Sequence, residues 1–113
     1  MIQVYYFPIG AQTLTAVTSE NIEKRGHEGV IDSQEEIDLI KKILSSANPP
    51  SVSSLGFTDQ AVRVKLIEKT PQSANVIAIV EDEGFVKLAD GQGKVLAPKE
   101  LAALKKLVES HCK

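Results

Sequence analysis

The hydrophobic period of this chain changes along its length, and that change limits the folds open to it. Between residues 33 and 47 apolar side chains recur at helical spacing, with Ile37, Ile40, Ile43, Leu44 and Ala47 on one face and Leu39 widening the stripe. From residue 61 the period is two. Val62, Val64 and Leu66 alternate with Arg63 and Lys65, so one side of this strand should be dry and the other wet. Residues 76–80 are apolar at every position, the pattern of a strand covered on both faces. Short turns at residues 70–75, 82–84 and 90–93 separate these strands from two more, at residues 85–88 and 95–96. Strands in sequence joined by such connections form a β-meander.

The flanking segments supply the remaining elements. Residues 2–7 are β-branched or aromatic and read as a first strand ended by Pro8. Thr13, Thr15 and Thr18 lie in an extended or irregular stretch, and Thr18 or Ser19 can cap a short helix through Lys24. Gly26 and Gly29 bracket His27 and Glu28 in a turn, and Val30-Ile31 can add a short strand. Ser33-Gln-Glu-Glu36 is a capping box: the Ser33 hydroxyl should accept from the Glu36 amide while the Glu36 carboxylate reaches back. Asp38 and Lys42 stand one turn apart on the wet face of that helix. Asn48-Pro49-Pro50 ends it, and residues 48–56 read as a loop. Pro98 opens a last helix with a buried stripe of Leu101, Leu104, Leu107 and Val108. The fold class expected is α+β: an antiparallel meander sheet with two main helices packed on one face. The pieces on either side of the 48–56 loop are too small for separate cores, so residues 1–113 read as one domain.

Several residues invite a chemical reading. His27, His111 and a lysine could serve a small hydrolase or nuclease if they converged in space; an ordinary surface histidine is the simpler account of His27. His111 and Cys112 sit at the end of the last helix, a poor place for an ordered Cys–His pocket. Asp90-Gly-Gln-Gly-Lys94 resembles a phosphate-binding loop but lacks its spacing, and a hairpin turn explains it. Glu81-Asp82-Glu83 lacks the alternating ligands of a calcium loop and reads as a solvated hairpin tip. Ser53 and Ser54 lack the surroundings of a nucleophile elbow. No catalytic residue, cofactor or metal is expected.

Charge distribution is the feature least explained by folding. The chain carries 15 acids and 13 bases. Residues 20–38 hold seven acids (Glu20, Glu23, Glu28, Asp32, Glu35, Glu36, Asp38) and two bases, a local net of −5, whereas residues 94–113 carry a net of +3. The acidic part would repel phosphates, so nucleic acid is not the expected partner. It would attract a basic protein. No apolar run is long enough to cross a membrane as a helix. Residues 1–8 lack the regions of a signal peptide, and the one cysteine fits a reducing compartment. A cytoplasmic location is therefore expected, with a removed leader and a periplasmic location as the alternative.

Taken whole, a short acidic α+β chain with no catalytic motif and with acids at 20–38 and 81–83 resembles small bacterial immunity-type proteins. That resemblance implies a stoichiometric inhibitor that neutralises a cognate toxin, often a nuclease, by covering its basic site. On this reading the partner-binding residues are Glu20, Glu23, Glu28, Asp32, Glu35, Asp38, Glu81, Asp82 and Glu83. The alternatives are an accessory or assembly module that self-associates through a sheet edge, and the small hydrolase or nuclease above. Monomer and homodimer both stay open.

Overall fold

The computed structural model of the protein describes residues 1–8, 15–48 and 61–112. Thr13 and most of the loop read at 48–56, Ser53 and Ser54 included, lie outside the described residues. Along the chain come β1 (Ile2–Tyr6), α1 (Ile22–Arg25), β2 (His27–Ile31), α2 (Gln34–Ser45), β3 (Val62–Lys69), β4 (Ala74–Glu81), β5 (Phe85–Leu88), β6 (Gly93–Val95) and α3 (Pro98–His111). The six strands form one sheet in the order β2-β1-β3-β4-β5-β6, with every neighbouring pair antiparallel. The fold is α+β, with β3 to β6 as the expected meander.

The inward sides of α2 and α3 cover one face of the sheet. Ile37, Ile40, Ile43 and Leu44 of α2, with Leu104 and Val108 of α3, join Ile2, Val4, Val64, Leu66, Ala78 and Val80 in the main core. The opposite face is also covered in part. Val17 and Ile22 pack there on Tyr5 and Val62, and Phe7, Ile67 and Ile79 adjoin this second cluster. Thr18 organises that segment: its hydroxyl accepts from the Asn21 amide at 3.1 Å while the Asn21 side chain accepts from the Thr18 amide at 2.8 Å. This is a reciprocal cap one turn ahead of α1.

Three expectations are corrected. The alternation in β3 is broken by a bulge between Val62 and Val64, which sends Val62 into the second cluster instead of the main core. Arg63 and Lys65, expected to be wet, are buried because residues 15–25 roof that face. Finally, His27 and Glu28 are not a turn; they belong to β2, in register with Tyr6 and Tyr5 of β1. Gly29 sits opposite Val4 for a different reason. A Cβ built there would stand 2.3 Å from the His111 carbonyl oxygen and 2.9 Å from the Cys112 sulfur. The glycine lets the end of α3 rest directly on β2. Gly84, by contrast, is a turn glycine, with φ at +97° between β4 and β5.

The two sheet edges differ. At β6 the ladder is extended by Asn48, whose N–H and C=O both bond Val95 at 2.8 Å. At β2 no described strand pairs with the outer side. No helix among the described residues is long and apolar enough to cross a membrane.

Burial separates two neighbouring positions. Leu66 is fully buried in the main core, whereas Ile79 lies in β4 on the thinner second face and is half-buried. In urea titrations Leu66→Ala should lose about 2–5 kcal/mol through transfer and cavity terms, and Ile79→Ala below about 2 kcal/mol; equal losses would contradict this assignment of faces. Gly29→Ala should cost about 1–3 kcal/mol by overpacking β2 against the end of α3, and an unchanged midpoint would show that the contact yields freely.

Candidate functional site

The acids of the sequence divide into two groups once their surroundings are known. The first group serves the fold. Lys65 reaches from β3 across the second face, where its Nζ donates to the Glu23 carboxylate at 2.7 Å and to the Ser19 carbonyl at 2.8 Å. The Lys65 side chain is 11% exposed, so the Glu23 charge and the carbonyl replace the water it has lost. Gln3 donates to both the Tyr5 hydroxyl and the Glu28 carboxylate. Burial, reinforced by Glu28 and then Glu23, raises the Tyr5 phenol above its ordinary value. Glu23 and Glu28 therefore frame a polar patch of the sheet.

The 81–83 hairpin is likewise structural in part. Glu81, expected at a solvated tip, is 3% exposed and accepts from the Ala61 amide at 3.3 Å. Its side chain is turned into the fold. Asp82 stands 3.3 Å from the Arg63 guanidinium, and its amide donates to the Ala61 carbonyl. Arg63 in turn lies over the Phe7 ring at 5.2 Å, and Arg25 lies 5.6 Å from the same ring. These contacts anchor the start of β3. Glu83 remains exposed.

The second group points outward. Glu20, Asp32, Glu35 and Asp38 are exposed, and Glu35 and Asp38 share one face of α2 with Leu39 and Lys42. Leu39, expected to widen the buried stripe, is instead 46% exposed. It falls one position off the inward arc that Ile37, Ile40, Ile43 and Leu44 occupy. Asp38 and Lys42 lie on this exposed face as expected, without an ion pair between them. Asp38 accepts from Gln34 at 2.9 Å, and neither Glu35 nor Lys42 has a side-chain partner among the described residues.

The capping box is half formed. Ser33 accepts from the Glu36 amide at 3.5 Å, but the Glu36 carboxylate does not return to Ser33. It meets His111 Nε2 at 2.8 Å and so ties the first turn of α2 to the last turn of α3. The two helices thus run antiparallel, with a groove between them. One hollow, of about 400 Å³, is lined by Glu35, Glu36, Asp38, Leu39, Lys42 and Leu107. The next, of about 330 Å³, continues past Leu39, Lys42, Ile43 and Ser46 to Lys99, Glu100 and Ala103 of α3. Neither hollow is lined by a histidine. His111 is engaged with Glu36, and His27 stands exposed on β2. Among the described residues no three or more His, Cys, Asp or Glu side chains gather where they could hold a metal ion.

The outer face of α2 is therefore the candidate site: an apolar centre with acids at one end and a lysine at the other. Its chemistry suits contact with a surface of complementary charge and an apolar centre. Its charged members were legible in the sequence. Leu39 was missed, although its neighbours Asp38 and Lys42, both wet, already marked that side of the helix as exposed. No family model, curated protein or solved structure matches the chain.

Cys112 closes this end of the molecule. It is buried beside Gly29 and the Val4 carbonyl. Burial, with a contribution from Glu28, pushes its thiol up from 9.0 to about 11. The folded state thus favours the neutral thiol. Because the folded value is the higher one, this contribution to stability is whole below pH 9.0 and is lost as pH rises to about 11. Wild type should therefore lose stability between those limits more steeply than Cys112→Ala, as read from urea midpoints at each pH. Parallel curves for the two proteins would contradict the assignment.

Proposed function

We propose that this chain is a protein-binding inhibitor of the immunity type, which neutralises a cognate toxin by laying the outer face of α2 over a basic site on it. The observation that supports this reading is the division of the acids. Glu23, Glu28, Glu81 and Asp82 have partners on other elements of the fold, whereas among the described residues Glu35 has none and Asp38 meets only Gln34 of its own helix, both exposed beside an exposed leucine. Carboxylates that tie no two elements together, ranged around an apolar residue, suit a surface that must attract and then seat a cationic partner. Asp32 and Glu20 extend the negative field from flanking positions, and Glu83 belongs to a separate tip. A nuclease, whose substrate site is basic, is the toxin class that this arrangement fits best.

Steering by such a face acts on the encounter rate. A partner is first recovered by pull-down from the native host, and its association is then followed by stopped flow. Glu35→Lys with Asp38→Lys should slow association by about tenfold or more at low salt. The effect should shrink near physiological ionic strength, where exposed charges are screened over roughly 8 Å. An unchanged rate at low salt would place the interface on another surface.

A further inference from the structure

We propose that the outer face of α2 also closes on a second copy of this chain, with the two α2 helices antiparallel across a two-fold axis beside Leu39. Glu35, Asp38, Leu39 and Lys42 form one outward row along α2. At about 1.5 Å of rise per residue, Glu35 and Lys42 lie roughly 10 Å apart along the helix, equally far from the point between Asp38 and Leu39. A two-fold axis through that point sets Glu35 of each copy against Lys42 of the other. It brings the two Leu39 side chains together at the centre.

A two-fold interface must be complementary to itself. An acidic row would repel its own image. This row changes sign from one end to the other, so two Glu35–Lys42 pairs attract across the axis and outweigh the single repulsion between the two Asp38 carboxylates that meet beside Leu39. Lys99 of α3 adds charge at the Lys42 end of the groove; Glu100 beside it weakens that end without cancelling the two lysines. Glu35, Lys42 and Lys99 have no side-chain partner within the described chain, so all three are free to pair across the axis. Helices of 12 and 14 residues are about 18 and 21 Å long, and a face of that size falls at the low end of specific interfaces. The dimer is accordingly weak and salt-sensitive. It does not depend on the inhibitor reading, since it needs no toxin. If both hold, Lys42 and Lys99 of the second copy occupy the place of the toxin's cations, and self-association competes with capture.

Sedimentation equilibrium of the full chain at low salt, up to millimolar concentration, tests the proposal on the wild type and two charge-reversed variants. These are Glu35→Lys with Asp38→Lys, and Lys42→Glu with Lys99→Glu. Wild type should dimerise reversibly. Each reversed variant alone should be monomeric over the same range, and an equimolar mixture of the two should dimerise again, because the Glu35–Lys42 positions regain opposite signs across the axis and the pair at position 38 acquires them. A wild type that stays monomeric at every concentration overturns the proposal, as does a mixture that stays monomeric. So does undiminished dimerisation of both reversed variants, which would assign the contact to another surface such as the outer edge of β2. Circular dichroism verifies folding. If a reversed variant does not fold, a salt titration of the wild type decides: its dissociation constant should rise with salt, and a constant that does not move overturns the proposal.

Discussion

Strand β1 is buried along its whole length, on both faces and at both edges, and the rest of the structure answers to that requirement. Its backbone is paired with β2 on one side and β3 on the other. Its side chains alternate between the two clusters, Ile2, Val4 and Tyr6 toward the helices and Tyr5 toward the segment 15–25. An antiparallel strand can leave one face wet, but here both faces are covered, and Gln3 and Tyr5 are buried on the second. The long crossing helices supply one cover. The second is improvised from Val17, Ile22 and the roof of charged and aromatic residues around Phe7.

The improvised cover accounts for the unusual polarity inside the protein. Arg63 and Lys65 were placed by the alternation of β3 on a side that proves to be dry. Each is met there by a carboxylate from elsewhere in the chain, Asp82 and Glu23 respectively. Such pairs are weak contributors to stability, because the cation has left water while its carboxylate stays partly exposed, and the lost hydration offsets much of the attraction. Their consequence is selective: breaking one partner leaves the other stranded. They fix which segment lies over which strand, and they engage Glu23 and Asp82 with cations of the fold.

Helix α2 serves two environments at once. Its isoleucines enter the core, its first turn is held to α3 through Glu36 and His111, and the remaining side bears Glu35, Lys42 and Leu39 exposed, with Asp38 held, among the described residues, only by Gln34 of the same helix. The same rigidity that stabilises the domain presents this row at fixed spacing. A binding surface built on a packed helix loses little freedom on association, which is why the row is a better candidate for recognition than the exposed carboxylates of turns and tips.

The sequence by itself determined the elements whose causes are local. The change of period, the Ser33 cap, Pro98 at the head of α3 and the turns around Gly84 and residues 90–93 each depend on neighbours within a few positions, and each stands where the pattern put it. The inward stripes of α2 and α3 were legible for the same reason. Tertiary structure alone decided the rest. It extended the short strand expected at Val30-Ile31 back to His27 by pairing it with β1, and it rested the end of α3, 82 positions away in the chain, on Gly29. It turned Glu36 from its own cap toward His111, and it buried Glu81 and Lys65. Which acids remain free for a partner was thus hidden from the sequence: a carboxylate's availability depends on which distant donor reaches it, and composition and periodicity carry no record of that distance.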